Sequence, residues 1–245
     1  MFNRDRNERN NYSQKLYKTQ NYSHYMATKQ QLLQFWKTMG VNTKLLNIFA
    51  KVPRENFIPP QLKAHAYDDH PLPTIRNQSI SQPSTVMIML KALDLQPREK
   101  VFEVGAGVGY QAAIMAHLVG KKGKIITSEV IPELVQFARS HLQELNLSQV
   151  LVLEGDGAEG HERGAPYDKI IITAACPSIP QPLIGQLKES GLIVAPVGDL
   201  QSQTMVKATK VNGKLELEFL GDFVFVPLMG KYGFEEKIME RSYAR

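Results

Sequence analysis

The 245-residue sequence predicts an α/β fold: a doubly wound Rossmann-like sheet that ends in antiparallel strands and is preceded by N-terminal helices. Three observations predict it. From residue 100 to 197, short apolar runs alternate with segments of helical period, the pattern of parallel crossovers covered on both faces. A glycine-rich stretch, "GAGVG", joins the first apolar run to its helix. The last third changes character, because "MVKATKV" and "LELEFL" flank Asn212-Gly213, a two-residue hairpin signal.

The elements follow in order. Leu32, Leu33, Phe35 and Trp36 recur at helical spacing, and a second helical stretch over Leu45 to Val52 stops at Pro53. Residues 54 to 83 read as irregular. Pro83 suits the first position of a helix whose buried side is Val86, Met87, Met89, Leu90 and Leu93. Strands are expected at 100–104, 124–129, 150–155, 168–173 and 191–197, with helices at 110–118, 131–145 and 180–189. "FVFVPL" (223–228) is a further apolar stretch after the hairpin. The division expected is a basic polar arm (1–30), a helical and pocket-forming segment (31–96), a ligand-binding Rossmann-like core (97–230) and a C-terminal tail (231–245).

Charge narrows the function classes. Of the net +5, the arm carries +4, from Arg4, Arg6, Arg9, Lys15, Lys18 and Lys29 against Asp5 and Glu8. The rest of the chain is close to neutral, so a nucleic-acid face on the core is not expected. Cys176 is the one cysteine, which excludes an internal disulfide and suits a reducing compartment. With no signal-like start and no apolar run near 18 residues, a cytoplasmic protein without membrane attachment is expected. The six histidines are scattered, and no metal site is expected.

The glycine loop carries the first chemistry. In "EVGAGVG" (103–109), Gly105, Gly107 and Gly109 permit a tight turn and close approach of backbone to a ligand. Glu129 ends the next strand, where a carboxylate can accept hydrogen bonds from ribose hydroxyls. Asp156, followed by Gly157, ends the third strand and could face an adenine amine. The GxGxG spacing, the acid Glu103 ahead of the loop and the second acid Asp156 favour S-adenosylmethionine over a dinucleotide. A sulfonium ligand has no pyrophosphate to seat on a helix N-terminus, and nearby acids suit its positive charge.

With "VPRENFIPP", "HPLPTIRNQSISQP", "VFEVGAGVGYQAAIMAHLVG", "GDGAEGHERGAPYDKIIITAACPSIP", "LIGQLKESGLIVAPVG" and "FVFVPL", the chain resembles protein-L-isoaspartate O-methyltransferases from about residue 30 to 230. The "QSISQP" segment ahead of the glycine loop singles out that family. The resemblance implies an enzyme of protein repair that methylates the free carboxylate of L-isoaspartyl residues in damaged proteins. It implies S-adenosylmethionine held by Glu103, Gly105, Gly107, Gly109, Glu129, Asp156 and Gly157. It also implies a substrate pocket built by Gln78, Ser79, Ile80, Thr173 and Ala174, with Ser81 approaching the carboxylate. Ser79 stands where the family usually has threonine, and Asn77 where glycine is expected.

Such chemistry needs no base, because an α-carboxyl with a pKa of about 3.3–3.7 is already ionised. The absence of a His–Asp or paired-carboxylate signature agrees with it. Two alternatives remain open from sequence: aspartate methylation of a dedicated peptide, and a non-catalytic module that keeps the fold.

Overall fold

The computed structural model describes residues 28–235, so the arm up to residue 27 and tail residues 236–245 lie outside the described residues. Helices α1 (Lys29–Thr38) and α2 (Thr43–Lys51) open it. Each begins on a side-chain cap: Thr28 accepts the Gln31 N–H and Asn42 accepts the Leu45 N–H. Their apolar stripes bury Leu32, Trp36, Leu45 and Phe49, and Trp36 meets Phe49 edge-on with ring centroids 4.6 Å apart.

Residues 54–82 are more ordered than their composition suggests. They hold two 3-10 turns (Arg54–Asn56 and Pro60–His65) and a hairpin of strands β1 (Leu72–Pro73) and β2 (Ser79–Ile80). At the hairpin tip Arg76 and Asn77 have φ of 55° and 56°, the paired positive angles of a type I′ turn, closed by the Gln78 N–H to Ile75 O bond of 3.0 Å. Asparagine tolerates this region, so its presence at a usual glycine position keeps the turn. The hairpin leads into α3 (Pro83–Leu93), with Pro83 at its first position as expected and all five expected apolar residues buried.

Next come β3 (Lys100–Val104), α4 (Tyr110–Val119), β4 (Lys124–Glu129), α5 (Pro132–Glu144), β5 (Val150–Glu154) and β6 (Tyr167–Ile172). Then follow α6 (Gln181–Gln186), β7 (Leu187–Gly198), β8 (Gln203–Val211) and β9 (Lys214–Phe223). The strands form one sheet of order β5-β4-β3-β6-β7-β8-β9, parallel from β5 to β7 and antiparallel beyond. Asn212 and Gly213, at φ 50° and 74°, turn β8 into β9. Alternate residues face opposite sides of the sheet: Val101, Ile125, Ile171 and Val194 join the core under α1 to α5, while Phe102, Ile126, Ile170 and Ile193 join a second core with Leu183 of α6.

One expectation needs correction. The helix expected to 189 ends at Gln186, because Leu187 is buried and pairs with Tyr167, so β7 starts four residues before Gly191. "FVFVPL" is not a further ladder strand. Phe223 ends β9, the Phe225 N–H goes to Gln203 Oε1 at 2.8 Å, and Pro227 has no N–H to give a ladder. The chain instead crosses to Ala175, which donates to Val226 O and accepts from the Leu228 N–H, both at 2.8 Å. Among the described residues no helix is long and apolar enough to cross a membrane.

One buried acid joins the irregular segment to the helices. Asp69, 5% exposed, accepts the Ser84 N–H at 2.8 Å and the Ser84 hydroxyl at 2.7 Å, and that hydroxyl accepts the Trp36 indole N–H at 2.9 Å. Hydrogen bonds to a charged group contribute about 1.5–3 kcal/mol each. Asp69→Ala is therefore expected to lower unfolding free energy by about 2–4 kcal/mol in urea melts, and an unchanged midpoint would show that the tie carries no stability.

Candidate active site

Strand β3 lies between β4 and β6, so the loops leaving their carboxyl ends diverge and a cleft opens above them. It encloses about 870 Å³, part of it open to solvent. Of the residues singled out by sequence, Gln78, Ser79, Ile80, Ser81, Gly105, Gly107, Glu129, Gly157, Thr173 and Ala174 line it. Glu103, Gly109 and Asp156 do not.

The glycine loop is held to its neighbouring strands by backbone bonds. The Gly105 and Ala106 N–H groups both donate to Ser128 O, at 2.9 and 2.8 Å. Thr173 Oγ1 lies 2.7 Å from Gly105 O and 2.9 Å from Val104 O. At Gly105, φ is +93° and an added Cβ would come within 2.5 Å of Thr173 Oγ1, so only glycine fits this approach. Glu129, 7% exposed at the end of β4, accepts the Gly107 N–H at 2.8 Å on Oε2 and the Ile131 N–H at 3.0 Å on Oε1. Each of its oxygens keeps acceptor capacity for a hydroxyl donor.

The opposite wall is the hairpin and the start of α3. Among the described residues the Ser81 hydroxyl has no hydrogen-bond partner, and Gln78 reaches only Arg76 O at 3.4 Å. An ion pair between Arg76 and Glu133, in the first turn of α5, bridges the hairpin tip to the glycine-loop side. Asp156 sits behind the cleft: Oδ1 accepts the Ala158 N–H at 2.8 Å and Oδ2 accepts the Lys231 N–H at 3.0 Å. Cys176 is a packed side chain, with burial pushing its thiol up to about 12.

Some wall residues carry no sequence signal strong enough to select them. Tyr110 and Gln111 follow the glycine loop and line the cleft, and the buried amide nitrogen of Gln111 has no hydrogen-bond partner among the described residues. Val226 to Met229 form another wall, for which the matching "FVFVPL" stretch was the available sign.

Electrostatically the cleft is simple. Glu129 is its one charged lining residue among the described residues, and no lysine, arginine or histidine joins it. That lining fits a ligand with ribose hydroxyls and a cationic centre, and offers a pyrophosphate no side-chain cation. Glu103 lies fully buried under the loop, where Thr127 Oγ1 donates to its Oε2 at 2.6 Å and Oε1 has no partner among the described residues. Burial, opposed by that hydrogen bond and helped by the Glu129 charge, pushes its carboxyl up to about 8. The folded chain thus keeps a proton there that the unfolded chain loses above the ordinary value of 4.5. Stability contributed by this group is present below 4.5 and is lost as pH rises toward 8. Glu103→Gln is expected to flatten that decline, giving urea midpoints at pH 5 and pH 8 that differ less than those of the natural chain; an equal difference would place no proton at Glu103.

A family model described as protein-L-isoaspartate(D-aspartate) O-methyltransferase matches residues 27–233. Protein-L-isoaspartate O-methyltransferase 2 of Archaeoglobus fulgidus is 46% identical over 197 residues, covering 80% of this chain and 90% of that protein. The protein-L-isoaspartate O-methyltransferase of Methanocella arvoryzae is 48% identical over 185 residues, covering 76% and 98%. Among solved structures, a protein-L-isoaspartate O-methyltransferase superposes with a TM-score of 0.76 at 26% identity, covering 89% of this chain and 70% of its own. A Plasmodium falciparum structure, solved with S-adenosyl-L-homocysteine, shares the fold with a TM-score of 0.72 at 24% identity, covering 82% and 98%. With most of its length matched by the family model and by relatives of this identity, the chain belongs to the protein-L-isoaspartate O-methyltransferase family.

Proposed function

We propose that the chain methylates the free carboxylate of L-isoaspartyl residues in damaged proteins, with S-adenosylmethionine as methyl donor and Ser81 as the residue that orients the acceptor. The observation that carries this reading is that residues 78–81 of "QSISQP" and the glycine loop, separated in sequence by α3 and β3, line one cleft in a member of this family. Residues 31–96 would supply the acceptor side and residues 97–230 the donor side. Glu129 would take the ribose hydroxyls, with Gly105, Gly107 and Gly157 lining the ligand's space, and Gly107, where nothing lies within 4 Å of an added Cβ, leaving it open. The placement of Glu103 and Asp156 supports roles behind the cleft wall for both, and Gly109 shapes the start of α4.

Bound S-adenosylmethionine supplies an electrophilic methyl group on a sulfonium that leaves as a neutral thioether. The chain's residues then have three tasks. Ser81 donates its free hydroxyl to one acceptor oxygen and leaves the other directed at the methyl group. Ile80, Ala174 and Val226 exclude water from the reacting atoms. Thr173 and Ala174, being small, leave space for an extended peptide backbone. Alignment of this kind can recover about 7–11 kcal/mol of a barrier. A proton acceptor is unnecessary, and the lining offers no histidine. The same lining, without a cation, favours protein over nucleic acid as acceptor, and the lone buried Cys176 agrees with a cytoplasmic setting.

The test is a methylation assay on an isoaspartyl peptide beside its aspartyl twin, and the isoaspartyl peptide alone is expected to react. Ser81→Ala is expected to slow the single-turnover rate roughly tenfold or more while S-adenosylhomocysteine affinity stays unchanged, because the lost bond forms on the acceptor side. Glu129→Ala is expected to weaken S-adenosylhomocysteine by about 1–3 kcal/mol in calorimetry. Between about pH 6 and 8 the chemical step should be flat. A tenfold rise per pH unit, or methylation of a peptide with its α-carboxyl amidated, would identify a different nucleophile.

A further inference from the structure

Helix α4 begins at the cleft without a side-chain cap. Gly109 is its N-cap residue, and among the described residues no acceptor takes the Tyr110, Gln111 and Ala112 N–H groups. Those groups point back toward the glycine loop, and the helix dipole adds to the positive potential there. A helix end of this kind is common and by itself selects no ligand. Gln111 supplies the selection. It is 7% exposed, it lines the cleft, and its Nε2 has no partner among the described residues. An unpaired buried donor destabilises a fold, and the helix is apolar from Ala112 to Ala116. An acceptor on the ligand at this point accounts for a glutamine here.

The other side-chain donors of the lining are already placed. Ser128 Oγ donates to Glu103 O at 3.2 Å, and Thr173 Oγ1 lies on the Val104 and Gly105 carbonyls. The Tyr110 ring turns away toward Phe49, Phe57 and Arg54. Gln78, Ser79 and Ser81 stand on the hairpin side, which the proposed function gives to the acceptor. On the glycine-loop side, Gln111 is the side-chain donor left for the ligand among the described residues. S-adenosylmethionine brings one anionic group, the α-carboxylate of its amino-acid end. With no lysine, arginine or histidine in the lining, neutral donors have to meet that group.

We propose that Gln111 and the first turn of α4 form the seat of the cofactor's α-carboxylate, with Gln111 Nε2 donating to one of its oxygens. This rests on the reading of the cleft as an S-adenosylmethionine site. Glu129 at the end of β4 and Gln111 at the start of α4 then hold the ribose and the amino-acid end separately. The sulfonium lies between those two ends of the ligand, so both anchors together fix it.

The test compares S-adenosylhomocysteine with its decarboxylated analogue, which differs only in lacking the α-carboxylate. In calorimetry, Gln111→Ala is expected to weaken S-adenosylhomocysteine roughly tenfold, the loss of one hydrogen bond to a charged group, and to leave the analogue's affinity unchanged. A purely structural role would weaken both ligands alike. In hydrogen exchange on the natural chain with each ligand at saturation, S-adenosylhomocysteine is expected to slow the amides of residues 110–112 several-fold more than the analogue does. Equal weakening of the two ligands, an unchanged affinity for S-adenosylhomocysteine, or equal protection of the first turn would each overturn the inference. If the variant does not fold, exchange on the natural chain decides alone. Failure of the natural chain to bind S-adenosylhomocysteine would overturn this inference together with the proposed activity, whereas binding that Gln111→Ala affects equally for both ligands overturns this inference only.

Discussion

The chain leaves β3 toward β4, builds outward to β5, and then returns across the sheet to β6 on the other side of β3. Every feature of the site depends on that reversal. Loops that leave adjacent parallel strands in opposite directions cannot pack on each other, so a crevice is left at the carboxyl ends. The glycine loop fills its floor because Gly105 alone can approach Thr173 of the β6 end, and Glu129 of the β4 end can then reach the Gly107 N–H. The cleft is thus a consequence of strand order first and of side-chain identity second.

Regular elements were legible because their signals are redundant. The five residues of β3 read as a strand from their apolar run, and Pro83 marked the start of α3, since each signal reflects a local backbone preference. Segments whose conformation is set by distant partners were not legible. Strands β1 and β2 have two residues each, too few for alternation to show, and their turn places an arginine at positive φ, which no propensity would select. "FVFVPL" has strand composition, yet Gln203 and Ala175 take its backbone bonds from outside any ladder. Leu187 joins β7 rather than α6 because Tyr167 is there to pair with it.

The acids show the same limit more sharply. Sequence spacing put Glu103, Glu129 and Asp156 at strand ends, and the structure has them there, but their environments separate them. Glu103 points beneath the loop into the core, where burial favours its neutral form, and Thr127 is its one side-chain hydrogen-bond partner among the described residues. Glu129 opens onto the cleft. Asp156 turns away from it toward Ala158 and Lys231. Side-chain direction depends on which face of the sheet each position occupies and on which backbone amides are nearby. A sequence displays neither.

A common device emerges among the irregular parts of the wall. Asp69 accepts the Ser84 amide at the base of the hairpin, Glu129 accepts the Gly107 amide in the loop, and Asp156 accepts the Lys231 amide beyond β9. Each is a carboxylate fixing a segment that lacks the ladder bonds of the sheet. Hydrogen bonds to charged acceptors are about twice as strong as neutral ones, which suits segments that must hold a shape without regular structure around them. It also explains how a cleft with one charged lining residue can be surrounded by acids. Most of them are spent on the backbone, and Glu129 is the single carboxylate among the described residues that lines the cleft.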